Sequence, residues 1–317
     1  MPEFSIIIPC YNCAKTLEET IGSVLSQSFC DFEIIAVNDG STDDTAEILR
    51  MAAIRDPERI RIHMQSNAGV SAARNQAIRM SSGRYILFLD ADDLLAEGLL
   101  ASISRSLKKE SVDTLCFYYT RDFSVFDGIP QNWEVKPITV SSLLERLTYS
   151  KRDVLFCSFV YKAELLRKHM IQFEEGFKYG EDWEFSTKYL SHCTSAVLLD
   201  KNGYFYRSVK TSAMAQARYD HVDAIAAAER TYAYLLSHRH PFAETFWEYM
   251  YPRAVFSVAH RFGQVRNREL FMRLQKEYDL KAVMKRMIHN PNVDVKSKLA
   301  AASYLVSPWL YYLISIF

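Results

Sequence analysis

The chain has no net charge and no disulfide pattern, and its first residues are not expected to be a secretory leader; each absence narrows what it can do. Lysine plus arginine number 38 and aspartate plus glutamate number 38, so no global attraction to nucleic acid is expected. Six cysteines in 317 residues are scattered singly apart from Cys10 and Cys13, which suits a reducing compartment and argues against a disulfide scaffold. No second Cys-x-x-Cys or clustered His pair accompanies that pair, so it is read as part of a strand-end turn, not as a zinc or redox centre. Met1-Pro2-Glu3-Phe4 enters an apolar strand at once, without the basic stretch and cleavage site of a signal peptide. A cytoplasmic location is therefore expected. What is present is a hydrophobic fraction of 49%, enough to bury a large core in one or two domains.

The most informative stretch is Tyr85-Ile86-Leu87-Phe88-Leu89-Asp90-Ala91-Asp92-Asp93, an apolar run that reads as a buried strand ending in carboxylates. Like charges about 4 Å apart repel by ~1 kcal/mol in water and ~4 kcal/mol at a partly buried position. A cation resolves that repulsion. Carboxylate oxygens suit Mg²⁺ or Mn²⁺, and Mg²⁺ ordinarily completes its shell with water and substrate phosphates. The alternative is an acidic helix start, with Asp92 or Asp93 capping a helix from Leu94 to about Lys108.

Around this stretch, strands and helices alternate. Phe4 to Pro9, Phe32 to Val37 and Ile60 to Met64 read as strands; about Ala14 to Ser26, Asp44 to Met51 and Val70 to Met80 read as helices. The pattern predicts an α/β fold with a parallel sheet at its centre, and ligands of such sheets bind outside the carboxyl ends of the strands. Cys10-Tyr11-Asn12, Asn38-Asp39, Asn67 and Asp90 to Asp93 all fall at those ends. Each could be ordinary turn chemistry; together they favour a nucleotide site.

Pro9-Cys10-Tyr11-Asn12, Val37-Asn38-Asp39-Gly40-Ser41-Thr42-Asp43, Asn67-Ala68-Gly69 with Ala73-Arg74-Asn75, and Leu89-Asp90-Ala91-Asp92-Asp93 resemble the family 2 inverting glycosyltransferases of the GT-A fold, bacterial surface-polysaccharide type. The resemblance covers roughly residues 4 to 208. It implies a Rossmann-like mixed sheet flanked by helices, with a glycosyltransferase domain over 1–215 (nucleotide half about 1–93, acceptor half about 94–215). Pro9, Tyr11 and Asp39 would line the nucleobase pocket, with Asn67 and Ala91 in the same nucleotide-binding motifs and Arg74 holding the nucleotide. Asp90 and Asp92 match the Asp-x-Asp pair, the first near ribose or metal and the second on Mn²⁺ or Mg²⁺; Asp93 is then a helix cap. Ala77 departs from the glycine common in relatives.

Downstream, Gly180-Glu181-Asp182-Trp183 resembles the family's acceptor-side acidic element, which implies Asp182 as the base taking the acceptor hydroxyl proton, with Glu181 as rival; the plain reading of both is stabilisation of a helix dipole. Tyr204-Phe205-Tyr206-Arg207, with Lys210 and Ser212, matches more loosely a segment that covers donor phosphates. Arg121 to Pro137 reads as a loop, in which Trp133 is either a sugar platform or a pin to the core. Residues 216–317 read as an all-helical appendage. After Lys298 no side chain carries a formal charge; this stretch is interrupted by Pro308, and its Trp and Tyr content suits a membrane interface flanked by Lys296 and Lys298, a buried helix or an oligomer contact being the alternatives.

The expected activity is transfer of a sugar from a nucleoside diphosphate, UDP by preference, to a growing and lipid-linked glycan, as a hexosyl- or N-acetylhexosaminyl-transferase. Two other classes remain. A sugar nucleotidyltransferase would carry a glycine-rich loop after the first strand, where this chain has Pro9-Cys10-Tyr11-Asn12; a non-catalytic binding module would be expected to lack Asp92 or Asp182.

Overall fold

A computed structural model describes residues 1–109, 112–126, 133–149, 154–207 and 219–315. The expected loop residues Gly128, Pro130, Gln131 and Asn132, and the cover residues Lys210 and Ser212, lie outside the described residues. The chain divides into two compact units: Met1–Leu147 with Lys151–Gly176 and Phe185–Ser208, and Thr148–Ser150 with Phe177–Glu184 and Val209–Phe317.

The first unit alternates strand and helix through β1 (Phe4–Cys10), α1 (Leu17–Leu25), β2 (Phe32–Asp39), α2 (Thr45–Arg55), β3 (Ile60–Gln65), α3 (Val70–Met80) and β4 (Tyr85–Phe88). β1 pairs in parallel with both β2 and β4, and β2 with β3. Nearly every residue of β1 and β2 is buried, as strands covered on both faces require.

Beyond β4 the sequence reading needs correcting. Leu94 does not open a helix: β5 (Leu94–Leu95) pairs antiparallel with Tyr204 and Phe205, and α4 begins only at Leu99, running Leu99–Lys109. There follow β6 (Thr114–Thr120), α5 (Phe123–Phe126), β7 (Val135–Ile138), α6 (Val140–Thr148), β8 (Phe159–Lys162), α7 (Ala163–Lys168), α8 (Glu181–Leu190) and β9 (Ala196–Phe205). The strands form one mixed sheet in the order β3-β2-β1-β4-β8-β6-β9-β5, with β7 also on β9. β8 runs antiparallel to β4 and β6, while β6 and β9 are parallel. Phe88, at the end of β4, packs among Phe156, Tyr161, Phe173 and Phe185 with ring centroids 5.3–5.7 Å away. This aromatic cluster anchors the acidic turn that follows it.

The second unit holds α9 (Asp223–Ser237), α10 (Ala243–Gln264), α11 (Arg268–Glu277), α12 (Leu280–His289), α13 (Val295–Val306) and α14 (Pro308–Ile314). Side chains of Asn267, Asp279, Asp294 and Ser307 cap the last four of these by accepting a backbone N–H, satisfying donors that a helix start leaves unpaired. Pro308 occupies the first turn of α14, where its missing N–H costs nothing. Phe246, Phe262, Phe271 and Tyr311 are fully buried within this unit.

Candidate active site

Parallel register brings the carboxyl ends of β1 to β4 to one edge of the first unit. There the loops after β1 and β2 are stitched together: the Asn12 amide donates to Ser41 Oγ (3.0 Å), and Asn12 Oδ1 accepts from the Thr42 amide (2.8 Å). Asn12 takes a left-handed φ of 48° to do so, a conformation Asn tolerates better than most residues. Pro9, half-buried, and Tyr11, 53% exposed, flank this junction. Gly40 is required: at φ 71° a Cβ would meet the Asn67 backbone nitrogen at 2.7 Å, so its bareness lets the loop after β3 close on the loop after β2.

Asp39 is buried. Its Oδ1 accepts from Gln65 Nε2 and the Ala68 amide, and its Oδ2 from the Gly69 amide, each at 2.8 Å. A carboxylate offers about four lone-pair positions, so these three bonds leave one position over.

The acidic turn is fixed from three sides. Thr16 and Thr20 hydroxyls both donate to the Ala91 carbonyl, at 2.8 and 3.0 Å. Arg74 Nη2 lies 2.9 Å from Asp90 Oδ1, and its guanidinium sits over the rings of Phe156 (4.4 Å) and Phe173 (5.2 Å). That planar stacking makes the arginine a preset cation beside the turn. Asn75, one residue on, donates to the Phe173 carbonyl and Glu175 Oε1 and accepts from the Phe173 amide, all at 2.9 Å. α3 is thereby tied to the segment before α8.

Asp93 is not the helix cap expected of it. Its Oδ2 accepts from the Tyr204 hydroxyl (2.6 Å) and its Oδ1 from the Arg207 amide (2.7 Å), while the Tyr204 oxygen also accepts from the Asp90 amide (3.2 Å). Arg207 adds Nε to the Asp92 carbonyl (2.8 Å) and Nη2 to Glu19 (2.6 Å). The sequence reading gave Tyr204 no part in holding the acidic turn. Its signal was the aromatic run at 204–206, but its partner stands 111 residues away.

Electrostatically the turn is strained. Burial, then Asp90, raise the proton affinity of Asp92, and the same causes push the Asp93 pKa up to about 8. Among the described residues there is no cluster of three His, Cys, Asp or Glu able to hold a metal alone. The carboxylates of Asp90 and Asp92, crowded enough for burial and Asp90 to raise the proton affinity of Asp92, are the oxygen donors that a hard divalent cation takes.

Pro9, Tyr11, Asp39, Asn67, Arg74, Asp90, Ala91, Asp92 and Arg207 thus gather along the strand ends of the first unit. Glu181 and Asp182 stand at the start of α8, in the second unit. Asp182 Oδ1 accepts the Trp183 amide at 2.7 Å. Gly180, at φ 88°, brings the backbone against α9, where a Cβ would meet that of Ala227 at 2.9 Å. Two residues on, buried Glu184 forms a bidentate pair with Arg230 (3.1 and 2.7 Å), and Arg230 lies over Phe177. These contacts tie the start of α8 to α9.

Comparison with known proteins agrees with this architecture. A likeness to Staphylococcus aureus TarS 1–349 in complex with UDP-GlcNAc has a TM-score of 0.72 at 21% identity, covering 100% of this chain and 90% of that one. It shows that the two share the GT-A fold. The mannosyltransferase PcManGT of Pyrobaculum calidifontis, in complex with GDP-Man and Mn²⁺, superposes with a TM-score of 0.53 at 19% identity, over 99% and 86% of the two chains. In sequence the chain is 32% identical over 213 residues to the uncharacterized glycosyltransferase EpsJ of Bacillus subtilis, covering 65% of this chain and 61% of EpsJ, so the match spans about three fifths of that relative. The profile of Glycosyl transferase family 2 matches residues 5–170. With more than half of its length matched by that profile, the chain belongs to glycosyl transferase family 2.

Proposed function

We propose that the protein is a metal-dependent inverting glycosyltransferase moving a sugar from a UDP-linked donor to a hydroxyl of a growing, lipid-linked glycan. The observation carrying this reading is the half-buried Asp90-Ala91-Asp92 turn, where burial and Asp90 raise the proton affinity of Asp92 beside the Arg74–Asp90 ion pair, at the strand ends of a family 2 chain. The UDP-GlcNAc of the TarS complex and the GDP-Man and Mn²⁺ of the mannosyltransferase complex support the donor class and the use of an ion. Tyr11 would pack beside the base, with Pro9 and Asn67 lining its surroundings and Asp39 accepting its N–H. Arg74 and Arg207 would hold donor oxygens. Asp90 and Asp92 would bind Mn²⁺ or Mg²⁺, whose charge, when bound, offsets that building on the leaving diphosphate. Asp182 would take the acceptor hydroxyl proton as that oxygen attacks the anomeric carbon opposite the diphosphate.

Incubating the protein with a panel of nucleoside diphosphate sugars and Mn²⁺ tests this reading. One donor is expected to release nucleotide, and chelation is expected to stop the release. Pyrophosphate formation from a nucleoside triphosphate and a sugar phosphate would instead identify a nucleotidyltransferase.

A membrane-peripheral placement is part of the proposal. No described helix is long and apolar enough to cross a membrane. Val295, Leu299 and Val306 on α13, and Trp309, Leu310 and Leu313 on α14, are all exposed, with Lys296 and Lys298 beside the α13 stripe. Such a surface suits an interfacial position over anionic headgroups. Removing both helices would also remove the buried Ala301, Tyr304 and Tyr311, so surface substitution is the cleaner test. Leu299→Glu with Leu313→Glu is expected to weaken sedimentation with anionic vesicles about tenfold or more, given ~1.5–3 kcal/mol for each leucine buried, with an unchanged melting temperature. Unchanged sedimentation removes the membrane role.

A further inference from the structure

Arg207 is held by three acceptors within the first unit, and one of them is a carboxylate to which the transferase reading gives no role. Its backbone amide donates to Asp93 Oδ1 (2.7 Å), its Nε to the Asp92 carbonyl (2.8 Å) and its Nη2 to Glu19 Oε2 (2.6 Å). The first two bonds fix the residue against the acidic turn. The third is of another kind, an ion pair with a side chain on α1.

α1 delivers that carboxylate from a fixed position. The Thr16 and Thr20 hydroxyls donate to the Ala91 carbonyl, the Ser23 hydroxyl accepts from the Leu95 amide (3.2 Å), and Gln27 donates to the Ala96 carbonyl (2.9 Å) and accepts from the Leu100 amide (3.2 Å). Residues 16, 20, 23 and 27 are spaced to share one helical face, and that face is fastened along the stretch from Ala91 to Leu100. Glu19 lies three residues after Thr16 and four before Ser23, at the border of the same stripe. Its place beside Arg207 is therefore set by the helix.

Both partners still reach solvent, the Arg207 side chain being 30% and that of Glu19 54% exposed. Exposed ion pairs contribute little to stability, so a stronger anion can break this one at small cost. A phosphate oxygen is such an anion: it accepts from a guanidinium N–H as a carboxylate oxygen does, in the same planar geometry.

We propose that Glu19 is a built-in competitor for the donor diphosphate, occupying Arg207 Nη2 when no nucleotide is bound and yielding that nitrogen to a phosphate oxygen, and that it thereby sets donor affinity. The proposal rests on the reading of Arg207 as a donor ligand. During the exchange Nε and the backbone amide keep their bonds to the acidic turn, and only Nη2 changes partner. Each binding event breaks an ion pair and each release of nucleotide re-forms it. A carboxylate that served only to align Arg207 would act with the opposite sign, since its loss would weaken donor binding.

The test is calorimetry of the full chain with UDP and Mn²⁺, on wild type, Glu19→Gln, Arg207→Ala and the double variant. Glu19→Gln is expected to bind UDP about threefold more tightly than wild type with a melting temperature near wild type, the gain being limited by the weakness of an exposed pair; general damage to the site acts in the other direction. Arg207→Ala is expected to bind UDP about tenfold more weakly, as loss of a charge-assisted hydrogen bond implies, and Glu19→Gln is expected to recover nothing in that background. Weaker or unchanged UDP binding by Glu19→Gln overturns the proposal. A gain of the same size in the Arg207→Ala background also overturns it, because the carboxylate then repels the diphosphate through space and does not compete for the arginine. Absence of UDP binding by wild type overturns the nucleotide reading and the competitor with it, whereas UDP binding without the Glu19→Gln gain removes the competitor alone.

Discussion

Asp92→Ala is expected to abolish Mn²⁺- or Mg²⁺-dependent donor hydrolysis and sugar transfer, a loss of about 10²-fold or more, while leaving the melting temperature unchanged or slightly raised. Losing an ion's stabilisation of developing charge is worth several kcal/mol, and each ~1.4 kcal/mol is tenfold in rate. The stability half of the expectation comes from the acidic turn itself. Asp92 has its proton affinity raised by burial and by Asp90, so in the absence of a cation its charge opposes folding and its removal relieves the turn. Burial and Asp90 push the Asp93 pKa up as well, to about 8, but its carboxyl is the acceptor for Tyr204 and Arg207, so Asp93→Ala should lower stability. It leaves the buried Tyr204 hydroxyl and the Arg207 amide without their acceptor, which costs about 1–3 kcal/mol for each buried group orphaned and lowers the melting temperature. Wild-type turnover by the Asp92→Ala protein, measured as metal-dependent nucleotide release, removes the ion assignment.

That two adjacent aspartates should behave so differently also marks where the sequence was readable. Strand and helix periods from Phe4 to Phe88 follow local rules, and α3 runs over Val70–Met80 as the spacing predicts. Past the acidic turn the deciding contacts are distant. Leu94 and Leu95 look like the first turn of a helix behind an acidic cap, yet they pair with Phe205 and Tyr204, about 110 residues on. β7 includes Pro137 and is largely exposed, as an edge position tolerates, so its pattern says little. β8 enters the sheet between β4 and β6, and no local window foretells such an insertion. The candidate site was legible because its residues sit in short motifs at strand ends. Tyr204 escaped because the oxygen's value comes from joining the Asp90 amide to Asp93. Asp182 and Glu181 are a different case, since adjacent carboxylates at a helix start share composition and differ only in direction.

Asp182→Asn separates those two. Asp182 Oδ1 accepts from the Trp183 amide at 2.7 Å, and an asparagine oxygen preserves that bond while the amide nitrogen replaces the basic oxygen. The start of α8, Gly180 against α9 and the Glu184–Arg230 pair should therefore remain, and the variant reports proton acceptance with little change in packing. Positioned proton transfer contributes ~10²- to 10⁴-fold. Transfer should fall by about 10²-fold or more in kcat, with UDP binding by calorimetry and melting temperature both near wild type. If both residues only stabilise the helix dipole, each neutral variant loses ~0.3–1 kcal/mol of stability and little turnover. If Glu181→Gln loses more transfer than Asp182→Asn, the base is Glu181. The ratio of the two kcat values, taken with the melting temperatures, decides among these three arrangements. A carboxylate that merely supports the helix shows itself in the melting temperature, whereas one that accepts the acceptor's proton shows itself in kcat alone.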